Sequence, residues 1–392
     1  MKKILFTFLC AMGSLSLLAQ MPKATIPFEL FGEHIFIKLS VNGSEPLDFI
    51  FDTGDGLTVL NIETAREMDM VSDGKVKKTS AGGSVTGALL KHQKVELGGQ
   101  PVNDIEIYET SLNHLEISIG RSIDGIIGYD VLDKYAVKID YTQNEFILYD
   151  ENAFLYNGDG KSFDLKLNSY IPYIPATVTL SNGKKLKGDF FVDTGARTSV
   201  DFNTPFVNKN NMVSQIGDNY SYSVAGLSST ETKHYKGRAT NFSFGGFSFD
   251  GLPIGLSQAE HGIQNNSKVA GILGNELLKH FNITYDYAHK KIYFEQNNVF
   301  DNKFMVDAAG IDFQYDKDME NILIHQVHEN SPAAEKGIKV DAQLLEVNGK
   351  SATDYTLPEL RDIFSSNGDN ATVKILQDGE EIALDFALKN LI

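Results

Sequence analysis

Two carboxylates stand out by what precedes and follows them. Asp52 lies in Asp48-Phe49-Ile50-Phe51-Asp52-Thr53-Gly54, and Asp193 in Asp189-Phe190-Phe191-Val192-Asp193-Thr194-Gly195. Each is an apolar run entering Asp-Thr-Gly, and the copies are 193 − 52 = 141 residues apart. A self-match at a fixed offset signals a duplicated unit, with one carboxylate at the same place in each half. If the halves pair about a pseudo-twofold axis, the carboxylates meet and share one proton. Such a pair can accept a proton from water and return one to a leaving group, which is the chemistry that peptide-bond hydrolysis needs.

The neighbours of each Asp suit that use. The Thr hydroxyl can hydrogen-bond across to the backbone of the opposite turn. Gly lacks a Cβ, so the chain can bend tightly and bring its N–H close to the carboxylates. All three residue types also favour plain strand-ending turns. A single Asp-Thr-Gly turns up by chance in roughly one chain in ten of this length, so the weight rests on the pair and its context. Downstream, Asp124-Gly125-Ile126-Ile127-Gly128-Tyr129-Asp130-Val131-Leu132 aligns with Ala270-Gly271-Ile272-Leu273-Gly274-Asn275-Glu276-Leu277-Leu278, at an offset of 274 − 128 = 146. Alternating segments follow both, Tyr135 to Tyr149 and Phe281 to Phe294, with Ile139-Asp140-Tyr141 matching Tyr285-Asp286-Tyr287.

On these residues the chain resembles the retropepsin-like aspartic proteases, in the single-chain, pepsin-like form that carries both halves. The resemblance covers about residues 24 to 297. It implies a mainly β, bilobal fold of two pseudo-twofold-related halves, 24–150 and 161–297. It also implies that Asp52 and Asp193 are catalytic, supported by Thr53, Gly54, Thr194 and Gly195. In that family Ile126-Ile127-Gly128 and Ile272-Leu273-Gly274 would pack beside the two turns and lead into short helices. A hairpin folding over the substrate is expected in the Gly-rich stretches Ala81-Gly82-Gly83-Ser84 and Val224-Ala225-Gly226-Leu227. The implied activity is that of an endopeptidase acting on a peptide or protein substrate, with no metal or organic cofactor. Because both half-sites lie in one chain, a dimer is not needed to build the site.

One residue departs from the pattern. Ala196 follows Gly195, but Asp55 follows Gly54. This third carboxylate could point into solvent, raise the dyad's pKa by like-charge repulsion, or mark a half-site that no longer catalyses. The last reading leaves open an inactive peptide-binding or envelope scaffolding protein on the same fold.

Several elements must position these groups. Phe28 to Val41 runs to Asn42-Gly43, a strong hairpin signal, and returns through Leu47 to Phe51. Asn182-Gly183 plays the same part before the second motif. From residue 300 to 392 the character changes. Ala309-Gly310-Ile311-Asp312-Phe313, Asn330-Ser331-Pro332-Ala333-Ala334-Glu335-Lys336-Gly337-Ile338 and Leu344-Leu345-Glu346-Val347-Asn348-Gly349 precede an amphipathic helix near Leu357 to Phe364. This stretch resembles a PDZ domain, a small β-rich unit with short helices. By that resemblance Gly310, Ile311, Asp312 and Phe313 form the loop whose N–H groups grip the C-terminus of a peptide ligand, with Asp312 an atypical occupant.

Composition frames the setting. Met1-Lys2-Lys3, an apolar stretch from Ile4 to Leu18, and Ala19 read as a secretory signal peptide over residues 1–19 of a bacterial protein. The expected location is the periplasm or beyond, with no membrane span after removal of the signal. Cys10 is the only cysteine and lies in that segment, so the mature chain has no disulfide. The charge of 35 − 52 = −17 disfavours nucleic acid and anionic membranes as partners. No phosphate-binding loop, nucleophile elbow or metal-ligand histidine spacing is present.

Overall fold

The computed structural model describes residues 21–80 and 83–392. The expected signal segment, Cys10 and Ala81-Gly82 lie outside the described residues.

The chain is mainly β, in three units. Val41 and Leu47–Phe51 flank the Asn42-Gly43 turn, where both residues have positive φ. The stretch before it is not one strand. Ala24–Phe31 and His34–Val41 form a hairpin closed by Gly32 and Glu33 at φ 56° and 72°. A glutamate with positive φ carries no simple sequence signal.

Strand order within the first unit is His34–Val41, Leu47–Phe51, Gly125–Ile127, Val59–Asn61, Gln100–Thr110, Ser84–Leu97, Lys75–Thr79. The second unit runs Ile171–Thr179, Lys185–Asp193, Gly271–Gly274, Val200–Phe202, Pro253–Ser257, Thr232–Arg238, Tyr220–Val224. These seven strands of the two units correspond one for one, and the second sheet continues past Ile171–Thr179 through Asn241–Phe244 and Phe247–Asp250. In each, the strand carrying the Asp-Thr-Gly motif is parallel to its apolar-apolar-Gly partner, Phe51 opposite Ile127 and Phe191 opposite Ile272. Central strands buried on both faces read as continuous apolar runs, and Phe49, Phe51, Phe190 and Val192 are all fully enclosed.

The halves also share one sheet. Its six strands run Lys161–Asp164, Lys291–Gln296, Phe281–Asp286, Tyr135–Asp140, Glu145–Asp150, Ala24–Phe31. Ile283, Thr284 and Tyr285 pair with Ile139, Lys138 and Val137 across the pseudo-twofold junction. One apolar core accordingly runs through both halves.

The third unit has its own core, from Ala308 to Leu388, built on Phe313, Ile324, Leu344, Leu360 and Phe364. Its helix Leu357–Phe364 starts with a capping box, Thr356 and Glu359 satisfying each other's backbone N–H. Phe300 and Phe304, which the composition shift groups with this unit, instead pack on Phe249 of the second half, and Phe300 also on Phe281. Aromatic residues announce burial but not which core receives them. Among the described residues no helix is long and apolar enough to cross a membrane.

Candidate active site

The two Asp-Thr-Gly turns meet where the halves join, and the threonines clasp them. Thr53 Oγ1 donates to the Val192 carbonyl at 2.7 Å and accepts the Thr194 N–H at 3.0 Å. Thr194 Oγ1 donates to the Phe51 carbonyl at 2.9 Å and accepts the Thr53 N–H at 3.0 Å. All four bonds are buried, so each hydroxyl satisfies one donor and one acceptor that water cannot reach.

The glycines let each turn approach the other's carboxylate. A Cβ at Gly54 would lie 2.5 Å from Asp193 Cγ, and one at Gly195 would lie 2.2 Å from Asp52 Cγ. Any larger residue would separate the pair. Asp52 Oδ1 accepts the Gly54 N–H at 2.7 Å. Asp193 Oδ1 accepts two, from Gly195 at 2.9 Å and Ala196 at 3.0 Å.

The two carboxyl groups face each other across the junction, each against the glycine of the opposite turn. Burial, then the facing Asp193 charge, then Asp55 push Asp52 well above the usual carboxylate range. Burial raises Asp193 too, but the bond from Asp52 and the two backbone N–H groups oppose it. Those donors favour charge on Asp193.

Asp55 is not solvated. It is 8% exposed, accepts the Leu57 N–H at 3.2 Å and pairs closely with Lys78 Nζ, which also reaches the Leu57 carbonyl at 3.2 Å. Lys78 belongs to the hairpin of Lys75–Thr79 and Ser84–Leu97 that overhangs the site. At its tip, Ser80 accepts the Ser228 N–H at 2.9 Å through Oγ and the Ile263 N–H at 3.0 Å through its carbonyl. His114 Nε2 lies 2.9 Å from the Gly226 carbonyl. Ser80 and the Val224–Leu227 stretch thus line one cleft of about 450 Å³ with Asp52 and Asp193.

The third unit closes one side of this cleft. Asp312 binds Arg361 at 3.3 Å and faces Arg197 at 4.0 Å. Burial acts to raise Asp312, but the two guanidinium groups outweigh it and hold the carboxyl at about 2. His34, half-buried, is driven down to about 3 by desolvation and the Arg197 and Arg361 charges, so it stays neutral. Gly310 sits at φ 80°. Its N–H and that of Ala309 donate to Asp307 Oδ1, both at 2.8 Å. Ile311 and Phe313 point into the third core.

Sequence reasoning missed Lys78, Arg197, Arg361, His34 and Asp307. Arg197 follows the second turn by two residues and was the one within reach of the motif. No group of acidic, histidine or cysteine side chains that could hold a metal occurs among the described residues.

The fold and site define a bilobal, mainly β protein with a paired-carboxylate centre and an appended β-rich unit. Comparison with known proteins agrees in both regions. Residues 37–131 match the family model for aspartyl protease, and residues 323–377 match that for the PDZ domain. The chain thus carries an aspartyl protease domain and a PDZ domain. The crystal structure of an aspartic proteinase from Irpex lacteus is similar at 13% identity and a TM-score of 0.45, covering 71% of this chain and 98% of that one. No curated protein matches the chain.

Proposed function

We propose that this chain is an exported aspartic endopeptidase, acting through Asp52 and Asp193 on an extended peptide held under the Lys75–Thr79/Ser84–Leu97 hairpin. The observation that carries the reading is the reciprocal threonine clasp, which holds two half-buried carboxyls face to face at the floor of a cleft. Nothing in packing alone calls for two acidic side chains face to face in a desolvated site, where each raises the other's cost of ionisation.

Asp193, ionised, removes a proton from water as the water oxygen attacks the scissile carbonyl carbon. Asp52 gives its proton to the carbonyl oxygen, producing a neutral tetrahedral diol. The amide nitrogen then takes the proton now on Asp193, the C–N bond breaks, and one diol hydroxyl returns its proton to Asp52. The pair ends as it began. Export rests on the basic, then apolar, N-terminal segment.

Incubating the mature protein with a mixed peptide library tests the reading. Cleavage is expected, and it should vanish in both Asp52→Asn and Asp193→Asn. Cleavage that survives either change, or no cleavage under any pH, overturns it.

A further inference from the structure

The PDZ unit does not stand apart on a linker. It is docked on both halves of the protease region at once, and the docking consumes the features by which a PDZ domain takes up a chain terminus. That mode adds a ligand strand to an exposed sheet edge and holds its terminal carboxylate on successive backbone N–H groups.

Three features occupy that groove from within. The N–H groups of Gly310, the first loop residue, and of Ala309 just before it already hold a carboxylate, the side chain of Asp307. The free edge is Ile311–Tyr315, the outermost strand of its sheet. There Arg361, from the helix lining the other side of the groove, donates to the Phe313 carbonyl at 3.1 Å. That carbonyl is an acceptor an added strand would use. The same guanidinium donates to the Ser118 carbonyl at 3.0 Å, at the end of helix Asn113–Ile119 of the first half. A Cβ on the next glycine, Gly120, would already touch Leu357 and Tyr315 at 3.0 and 3.1 Å.

The face of that sheet is used instead. Side chains alternate along a strand. Ile311, Phe313, Ile322 and Ile324 go to the unit's own core, which turns Asp312, Gln314 and His325 outward, and all three line the catalytic cleft with Asp52 and Asp193. The wall is fixed to the second half. Gln326 accepts the Ser223 N–H at 2.8 Å and donates to the Ser223 carbonyl at 3.2 Å, capping the edge strand Tyr220–Val224. His325 pairs with Glu231 at 3.2 Å, and Tyr220 lies against the His328 ring.

We propose that the PDZ unit serves as a third wall of the substrate cleft, not as a receptor for free chain termini, and that Gln314 and His325 select polar side chains of an extended peptide lying in that cleft. The proposal rests on the catalytic reading for the identity of the cleft's occupant. The Asp312 carboxylate is committed to two arginines. Gln314, able to donate and accept, and His325, with its partner Glu231, are the groups left to hydrogen-bond a passing peptide.

Capture experiments separate this from catalysis. The Asp193→Asn protein is mixed with a library of extended peptides, each made with a free C-terminal carboxylate and as its amide, and retained peptides are identified by mass spectrometry. The same is done with Gln314→Ala or His325→Ala added. Amidation is expected to change retention by less than about twofold. Each alanine change is expected to weaken the best peptides about five- to tenfold, as loss of one well-placed contact does, and to alter which side chains are selected. Retention that needs the free carboxylate overturns the proposal, as do unchanged selection in both alanine variants and a failure to retain any peptide. If peptides are retained with the expected selection while the wild-type protein cleaves none, the catalytic reading fails and the cleft-wall assignment stands.

Discussion

At the second turn Asp193 Oδ1 receives two main-chain N–H groups, while at the first Asp52 Oδ1 receives one and Asp55, just after the triplet, adds a carboxylate of its own. The same triplet therefore sits in two electrostatic settings. Extra donors favour charge on Asp193, while the Asp55 charge disfavours it on both aspartates. Identical motifs related by a pseudo-twofold axis can thus hold different protonation states, because the atoms just outside the motif break the symmetry. Ala196 and Asp55, just outside the two triplets, make the settings unequal, although the titration remains a property of the pair.

The comparison can be broken most sharply at the carboxyls. Asp52→Asn and Asp193→Asn should each lower kcat on the order of 10³-fold or more, because neither remaining carboxyl can be both base and acid. A large difference between the two variants would mean that one half-site works alone. A peptide-cleavage time course measures this.

The clasp should be symmetrical where the charges are not. Thr53→Ala and Thr194→Ala each orphan one buried N–H and one buried carbonyl, so each should cost about 2–4 kcal/mol of stability. Urea unfolding of both variants gives the values. Costs differing by more than about 1 kcal/mol would show that the two turns are not mechanically equivalent.

The smallest effect is on pH. Asp55 raises Asp52 and Asp193, and loss of the dyad's working proton sets the high-pH limb of the rate profile. Removing Asp55 leaves Lys78 unpaired beside the site, and both changes favour the doubly ionised pair. Asp55→Ala should therefore move that limb to lower pH. Lys78→Met leaves Asp55 unpaired and should move it to higher pH. Each shift should be about one unit or less, given the compensating partner. Profiles that superimpose, or shifts of reversed sign, would remove Asp55 from the account.

The paired motif and its apolar-apolar-Gly partners were legible because duplication wrote them twice at nearly one offset. The strand correspondence follows from the same repeat. Lys78 was not legible, since a lysine 23 residues beyond Asp55 becomes its partner only when the hairpin folds back. Nor was the use of the PDZ groove. Asp307 reads as an ordinary turn residue, and Arg361 as the exposed cation of an amphipathic helix, until the helix Asn113–Ile119 is set against them. The break at residue 300 follows composition, whereas the change of core comes near Ala308 because Phe300 and Phe304 join the preceding unit.

The sheet shared between the halves has a consequence for how the molecule comes into being. Ile139 pairs with Ile283, so 283 − 139 = 144 residues separate neighbours in one ladder. While the chain is being made, Tyr135–Asp140 presents an unpaired edge until Phe281–Asp286 exists, and an open edge invites pairing with other chains. Contacts so distant in sequence also form slowly. The order of synthesis, and not the final contacts alone, governs when Asp52 and Asp193 can first meet.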